Sequence, residues 1–213
     1  LIPTRPKMLL TCGGVLALVL LAGIFYAFSL PPFEKKGEIK ASEVCASLGS
    51  QSGAVSSLEK LLPDKESYTF DDRAASLRTD DADDTYETSC FVSGDGEQLL
   101  VAEARMMANE PKEDWAHWLK GTATNDASVR SLTPFEAGDT AIASDRFAGL
   151  FLPCASAGKI PGGQYNISVS VELKRQKETD QKAARTRLID LVKSAASYAH
   201  SKAKCDIPSN VNG

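Results

Sequence analysis

The chain has 213 residues, 43% hydrophobic and 24% charged, with a formal net charge of −4. That balance describes a globular protein, not a disordered or fibrous chain, and the length holds one domain or two small ones. Only Arg5 and Lys7 precede the first long apolar run, while every acidic residue follows it. The bulk of the chain therefore lacks the Lys and Arg excess that would neutralise phosphates, which argues against a nucleic-acid partner.

Residues 1–7 read as a short cytoplasmic tail. From Met8 to Phe33 no side chain is charged. About 20 such residues cross the hydrocarbon core of a bilayer, where every backbone amide must be bonded internally, so the pattern predicts one transmembrane helix over 8–30. Phe25, Tyr26 and Phe28 would lie at the interface, and Pro31-Pro32 would end the helix. A cleaved signal peptide is the rival reading, with Ala27-Phe28-Ser29 as its cleavage site, although its apolar run is longer than usual. Residues 31–40 form a charged linker, and an α+β domain is expected over 41–213.

Ala41 to Leu62 reads as a helix, with breaks near Gly49 and Gly53 and a stop at Pro63. Asp71 to Glu87 is polar and carries the cluster Asp80, Asp81, Asp83 and Asp84, so a solvated loop is expected. Calcium is the sharper reading of those carboxylates, but an EF-hand register counted from Asp81 puts Tyr86 and Val92 where Gly and Glu are required. Tyr86 to Ser93 and Gln98 to Met107 read as a hairpin turning at Gly94-Asp95-Gly96. Glu103 and Arg105 share the polar face of its second strand. Pro111 opens a short helix ending at Gly121.

The second half repeats this order. Asp139 to Cys154 reads as a strand interrupted near Gly149, followed by a Gly-rich connection over 155–163. Tyr165 to Lys174 alternates cleanly, with Tyr165, Ile167, Val169, Val171 and Leu173 on one face and Ser168, Ser170 and Glu172 on the other. Lys177 to Lys204 reads as a long helix whose inner stripe is Ala184, Leu188, Leu191, Ala195 and Tyr198. The expected architecture is an antiparallel sheet of about four strands with helices packed on one face.

Cys12 lies ahead of the apolar core, and the other cysteines are Cys45, Cys90, Cys154 and Cys205. They form no C-x-x-C and are far in sequence from His117 and His200, which disfavours zinc. A two-disulfide framework is the better reading, and it requires an oxidising compartment. Of the three possible pairings, Cys45–Cys90 and Cys154–Cys205 are favoured because each closes a loop within one half of the domain. The domain is accordingly expected outside the cytoplasm, tethered to the plasma membrane as a single-pass protein.

No P-loop, dinucleotide fingerprint, H-E-x-x-H or G-x-S-x-G is present. No catalytic residue, metal ligand or cofactor is assigned. Trp115 and Trp118, three apart on a short helix, are the candidate ligand-binding residues, with packing as their ordinary role. Asn166-Ile-Ser168 matches a glycosylation sequon.

The Ala-rich composition, Cys45-Ala46-Ser47-Leu48 near the domain start, and Cys90-Phe91 in a strand before a turn resemble an actinobacterial envelope domain. The group comprises two-disulfide secreted lipoproteins and kinase sensor-type exterior domains. This chain departs from it by having no lipid-attachment Cys after the apolar run and no kinase domain. The resemblance implies compartment and fold and transfers no catalytic residue. The expected function is a non-enzymatic, monomeric binding or interaction module recognising an envelope protein or a small ligand. An envelope hydrolase using a Ser and His117 is the alternative, with Asp114 one helical turn before the histidine.

Overall fold

A computed structural model of the chain describes residues 19–21, 23–24, 36–108, 111–122, 131–178 and 180–212. The chain divides into two compact units, 1–37 and 38–213. In the first, residues 19–21 and 23–24 are helical. Among the described residues no helix is long and apolar enough to cross a membrane. The expected transmembrane helix is therefore not borne out by the described residues: of its span 8–30 only those five are described, and the rest lies outside the described residues.

The second unit is built on an antiparallel sheet. A 3-10 turn at Ala46–Leu48 and helix α1, Gln51–Leu61, come first. Strands β1, Tyr68–Ser76, β2, Glu87–Gly94, and β3, Glu97–Ala108, follow, and then helix α2, Lys112–Thr122. Strands β4, Thr133–Pro134, β5, Thr140–Ala143, β6, Phe147–Ile160, and β7, Gly163–Leu173, lead to the long helix α3, Gln181–Lys202. The spatial order is β1-β2-β3-β7-β6-β5-β4. Two meanders therefore meet through their last strands, with Ala102 opposite Val171 and Ala104 opposite Val169.

Among the described residues the sheet has seven strands in place of the expected four or so, and each extra strand has a physical reason. β1 begins just ahead of the stretch read as an acidic loop, Asp71 to Glu87, and runs into it. It is an edge strand, paired only with β2, so most of its side chains are exposed and its sequence carries Asp71, Asp72 and Arg73. Charge on an unpaired edge is also what discourages sheet-to-sheet association. β5 and β6 were expected as one strand broken at Gly149. The break lies instead at Ser144–Arg146, where the Ser144 amide donates to the Phe147 carbonyl at 2.7 Å. β6 then runs past Pro153 to Ile160 and turns through Pro161 and Gly162 into β7. β4, only two residues long, leaves no periodicity to detect.

The hairpin between β2 and β3 turns at Asp95 and Gly96, both with positive φ (49° and 80°), the backbone a two-residue hairpin loop favours. The helix expected over 41–62 is split. Gly49 (φ 82°) lies against α3, and a Cβ there would come within 2.4 Å of the Ser194 carbonyl oxygen. Only glycine combines that φ with that approach, so α1 begins after it.

The sheet's first face carries the main core. Cys90, Val92, Leu100, Leu150, Leu152, Ile167, Val169 and Val171 are fully buried against Leu48, Leu58, Leu61, Leu188, Leu191 and Val192. Both expected disulfides are present, Cys45–Cys90 and Cys154–Cys205. The first ties the 3-10 turn to β2. Asp72, opposite Cys90 on β1, adds to it by accepting from the Ala46 amide at 2.8 Å and the Ser47 hydroxyl at 2.5 Å. The second ties the end of α3 to β6, and the Cys154 carbonyl accepts from the Asp206 amide at 2.9 Å.

The expectation of helices on one face alone is corrected as well. α2 lies on the opposite face, over a separate small cluster of Trp115, Leu119, Ile142, Phe147 and Phe151. This explains the unbroken apolar run of β6, buried on both sides from Phe147 to Ala155. It also gives Gly149 its role. A Cβ there would come within 2.5 Å of Leu119 and 3.5 Å of the Trp115 ring, so the glycine is the seat on which α2 rests.

Candidate functional site

Trp115 fixes α2 to the sheet. Its ring is fully buried, stacks on Phe151 at a centroid distance of 5.1 Å, and donates from Nε1 to the Ser168 Oγ at 2.8 Å. A buried indole N–H needs such a partner. One turn along the helix, Trp118 is 37% exposed and reaches over β3, where the Arg105 guanidinium lies 4.6 Å from its ring centroid.

Between α2 and the uncovered part of the sheet lies a cleft of about 280 Å³, lined by Glu103, Arg105, Trp118, Leu119, Phe147, Ser168, Ser170 and Glu172. Strand register explains this lining. Glu103 is opposite Ser170, Arg105 is opposite Ser168, and Glu172 is opposite Phe147. Residues two apart on neighbouring strands project from the same face, so β3 and β7 floor the cleft with two carboxylates, a guanidinium and two hydroxyls. Glu172 pairs with Lys174 at 2.6 Å, each about two-fifths exposed, a pair that adds little to stability.

A second depression, of about 310 Å³, lies near the ends of α1 and α3 among Glu59, Lys60, Lys177, Glu178 and Arg187. It is slightly larger but has no aromatic wall, and its rim is of long charged side chains. The α2 cleft has a rigid sheet floor and an aromatic wall, the features of a pre-formed ligand site.

The two candidate tryptophans thus separate into different roles: Trp118 lines the cleft, while Trp115 is the packing residue that positions it. His117 and Asp114 are exposed on α2 and stand outside the cleft lining. His200 is half-buried and holds the Ile207 carbonyl at 2.7 Å from Nε2. Asn166 and Ser168 of the sequon are 3% and 6% exposed within β7, out of reach of a modifying enzyme in the folded domain.

The acidic loop is turned on itself. Asp80 Oδ1 accepts from the Ala82 and Asp83 amides at 2.9 and 3.0 Å. Asp83 accepts from the Thr85 hydroxyl at 2.6 Å, and from the Thr79 hydroxyl and the amides of both threonines at 2.8–2.9 Å. The Thr85 hydroxyl first, then those amides and the Thr79 hydroxyl, hold the Asp83 carboxyl far below its ordinary range. Among the described residues no group of three or more His, Cys, Asp or Glu side chains is placed to hold a metal ion.

Sequence reasoning did not single out Arg78. Its side chain is 4% exposed and donates to the carbonyls of Asp81 and Asp83 in the loop and of Ala203 and Lys204 at the end of α3, at 2.8 Å for Asp83 and 3.0 Å for Ala203. A cation at a helix C-terminus complements its dipole. No local pattern around Arg78 marks this role, since the carbonyls of α3 lie more than 120 residues away.

Fold and site together define a disulfide-bonded α+β domain whose open sheet face holds a mixed polar and aromatic cleft. No family model, curated protein or solved structure matches the chain.

Proposed function

We propose that the chain is a non-enzymatic binding module of a bacterial cell envelope, working outside the cytoplasm, with its ligand in the cleft beneath Trp118. The observation that carries this reading is the cleft itself: a rigid floor of Glu103, Arg105, Ser170 and Glu172 under an aromatic wall. The two disulfides support the compartment, because such bonds persist where the surroundings are oxidising. The resemblance to sensor-type exterior domains fits the same reading. The charged edge of β1 fits a monomer. The hydrolase alternative gains no support from His117, which is exposed outside the cleft.

A thermal-shift screen of the intact chain against small polar envelope metabolites tests the proposal. At least one compound should raise the melting temperature of the native chain and not of Trp118→Ala. Hits that stabilise both forms equally would remove the cleft from the account.

A further inference from the structure

We infer that the ligand of the cleft is a neutral saccharide, bound through one sugar ring. The inference rests on the cleft being a ligand site and goes on to name the ligand's chemistry. Three observations carry it.

The first is charge. The floor holds Glu103 and Glu172 against Arg105, and Glu172 has Lys174 at 2.6 Å. Positive and negative groups balance, so neither a phosphate nor a polyamine finds the excess of opposite charge that would offset its desolvation. The second is the kind of polar group present. Carboxylates accept two hydrogen bonds side by side, a guanidinium donates several in one plane, and the Ser170 hydroxyl does both. That mixture suits neighbouring hydroxyls, each of which donates and accepts. Glu103 is flanked in register by Ser89 on β2 and Ser170 on β7, which makes a row of hydroxyl, carboxylate and hydroxyl.

The third is the wall. Trp118 keeps 37% of its surface exposed above this floor. A sugar ring has an apolar face of C–H groups and a polar rim, so the part of the indole that Arg105 leaves exposed can meet the one and the carboxylates the other. Arg105, stacked on the same indole at 4.6 Å, holds its donors at the rim. Pockets for drug-sized ligands run from about 300 to 1,000 Å³, and about 280 Å³ lies just below that range, as one ring requires.

The test titrates the intact chain with methyl α-glucoside, methyl α-mannoside, methyl β-galactoside and arabinose, with inorganic phosphate and spermidine as charged comparators. The chain has two tryptophans, and an emission change that disappears in Trp118→Ala is assigned to Trp118 and not to the buried Trp115. At least one neutral sugar should give a saturable change. By calorimetry its affinity should fall at least tenfold in Trp118→Ala and several-fold in Glu103→Gln. Both side chains are at the surface, and circular dichroism checks that each variant is folded.

Saturation by phosphate or spermidine, with no response to sugars, would overturn the saccharide and leave the ligand cleft standing. A sugar bound equally by both variants would place the site elsewhere and overturn the inference. No response to any probe would also overturn it, while the thermal-shift screen would decide separately whether the cleft binds another class of ligand.

Discussion

Replacing Trp115 with alanine should release α2 from the sheet without unfolding the domain. Of α2's described side chains, only Trp115 and Leu119 are buried, and their cluster is separate from the main core. Truncating a fully buried Trp costs about 3–5 kcal/mol, of which its bond to Ser168 accounts for about 1 kcal/mol. That is the greater part of what can hold an 11-residue helix, and a helix so short is marginal once undocked. Local opening should therefore replace global unfolding. Hydrogen exchange is the assay. Amides 115–122 should lose protection while those of β3 and β7 keep it, and the urea midpoint should move by less than the full cost of truncation. Trp115→Phe keeps the stacking on Phe151 and loses the N–H donor, so it should cost only about 1–2 kcal/mol. Unchanged α2 protection in Trp115→Ala would refute the reasoning. Loss of protection across the whole sheet in step with α2 would refute it equally.

Arg78→Met should destabilise the domain by about 3 kcal/mol, since four carbonyls lose a buried donor; a denaturant midpoint unchanged from the native chain would contradict this. The disulfides join residues 45 and 51 apart, and each should contribute up to about 4 kcal/mol by loop-closure entropy, so reduction should lower the melting temperature strongly. Alkylation of the protein taken from native cells without reductant should leave these four cysteines unmodified; labelling of all four would contradict an oxidising compartment. Asp83 has a folded-state pKa below its ordinary 3.8. Its contribution to stability is therefore complete above about pH 4 and is lost as pH falls through the lowered value. Asp83→Asn should flatten that acid limb, measured as melting temperature against pH.

The elements with clean periodicity were legible in the sequence. β7 alternates in sequence from Tyr165 to Leu173, and the inner stripe of α3 matches what is buried, with Ala199 taking the inner place expected of Tyr198. The cysteine pairing favoured because each bond closes a loop within one half is the one present. β1 was hidden because an edge strand with few buried side chains has the composition of a loop, and β6 was merged with β5 because burial on both faces removes the alternation that would mark its bounds. The site was half visible: alternation put Glu103 with Arg105, and Ser168 with Ser170 and Glu172, on polar faces. Nothing local said that β3 and β7 are neighbours, or that a helix would cross above them. That depends on Gly149, whose missing side chain reads as an interruption in sequence and serves as a seat in three dimensions.

The account turns on the cleft beneath Trp118, and amide chemical-shift mapping of the intact chain with small polar fragments tests it most directly. Shifts concentrated at Glu103, Arg105, Trp118, Ser170 and Glu172 are the predicted result. Shifts concentrated instead around Glu59, Lys177 and Arg187, or spread without a focus, would contradict it.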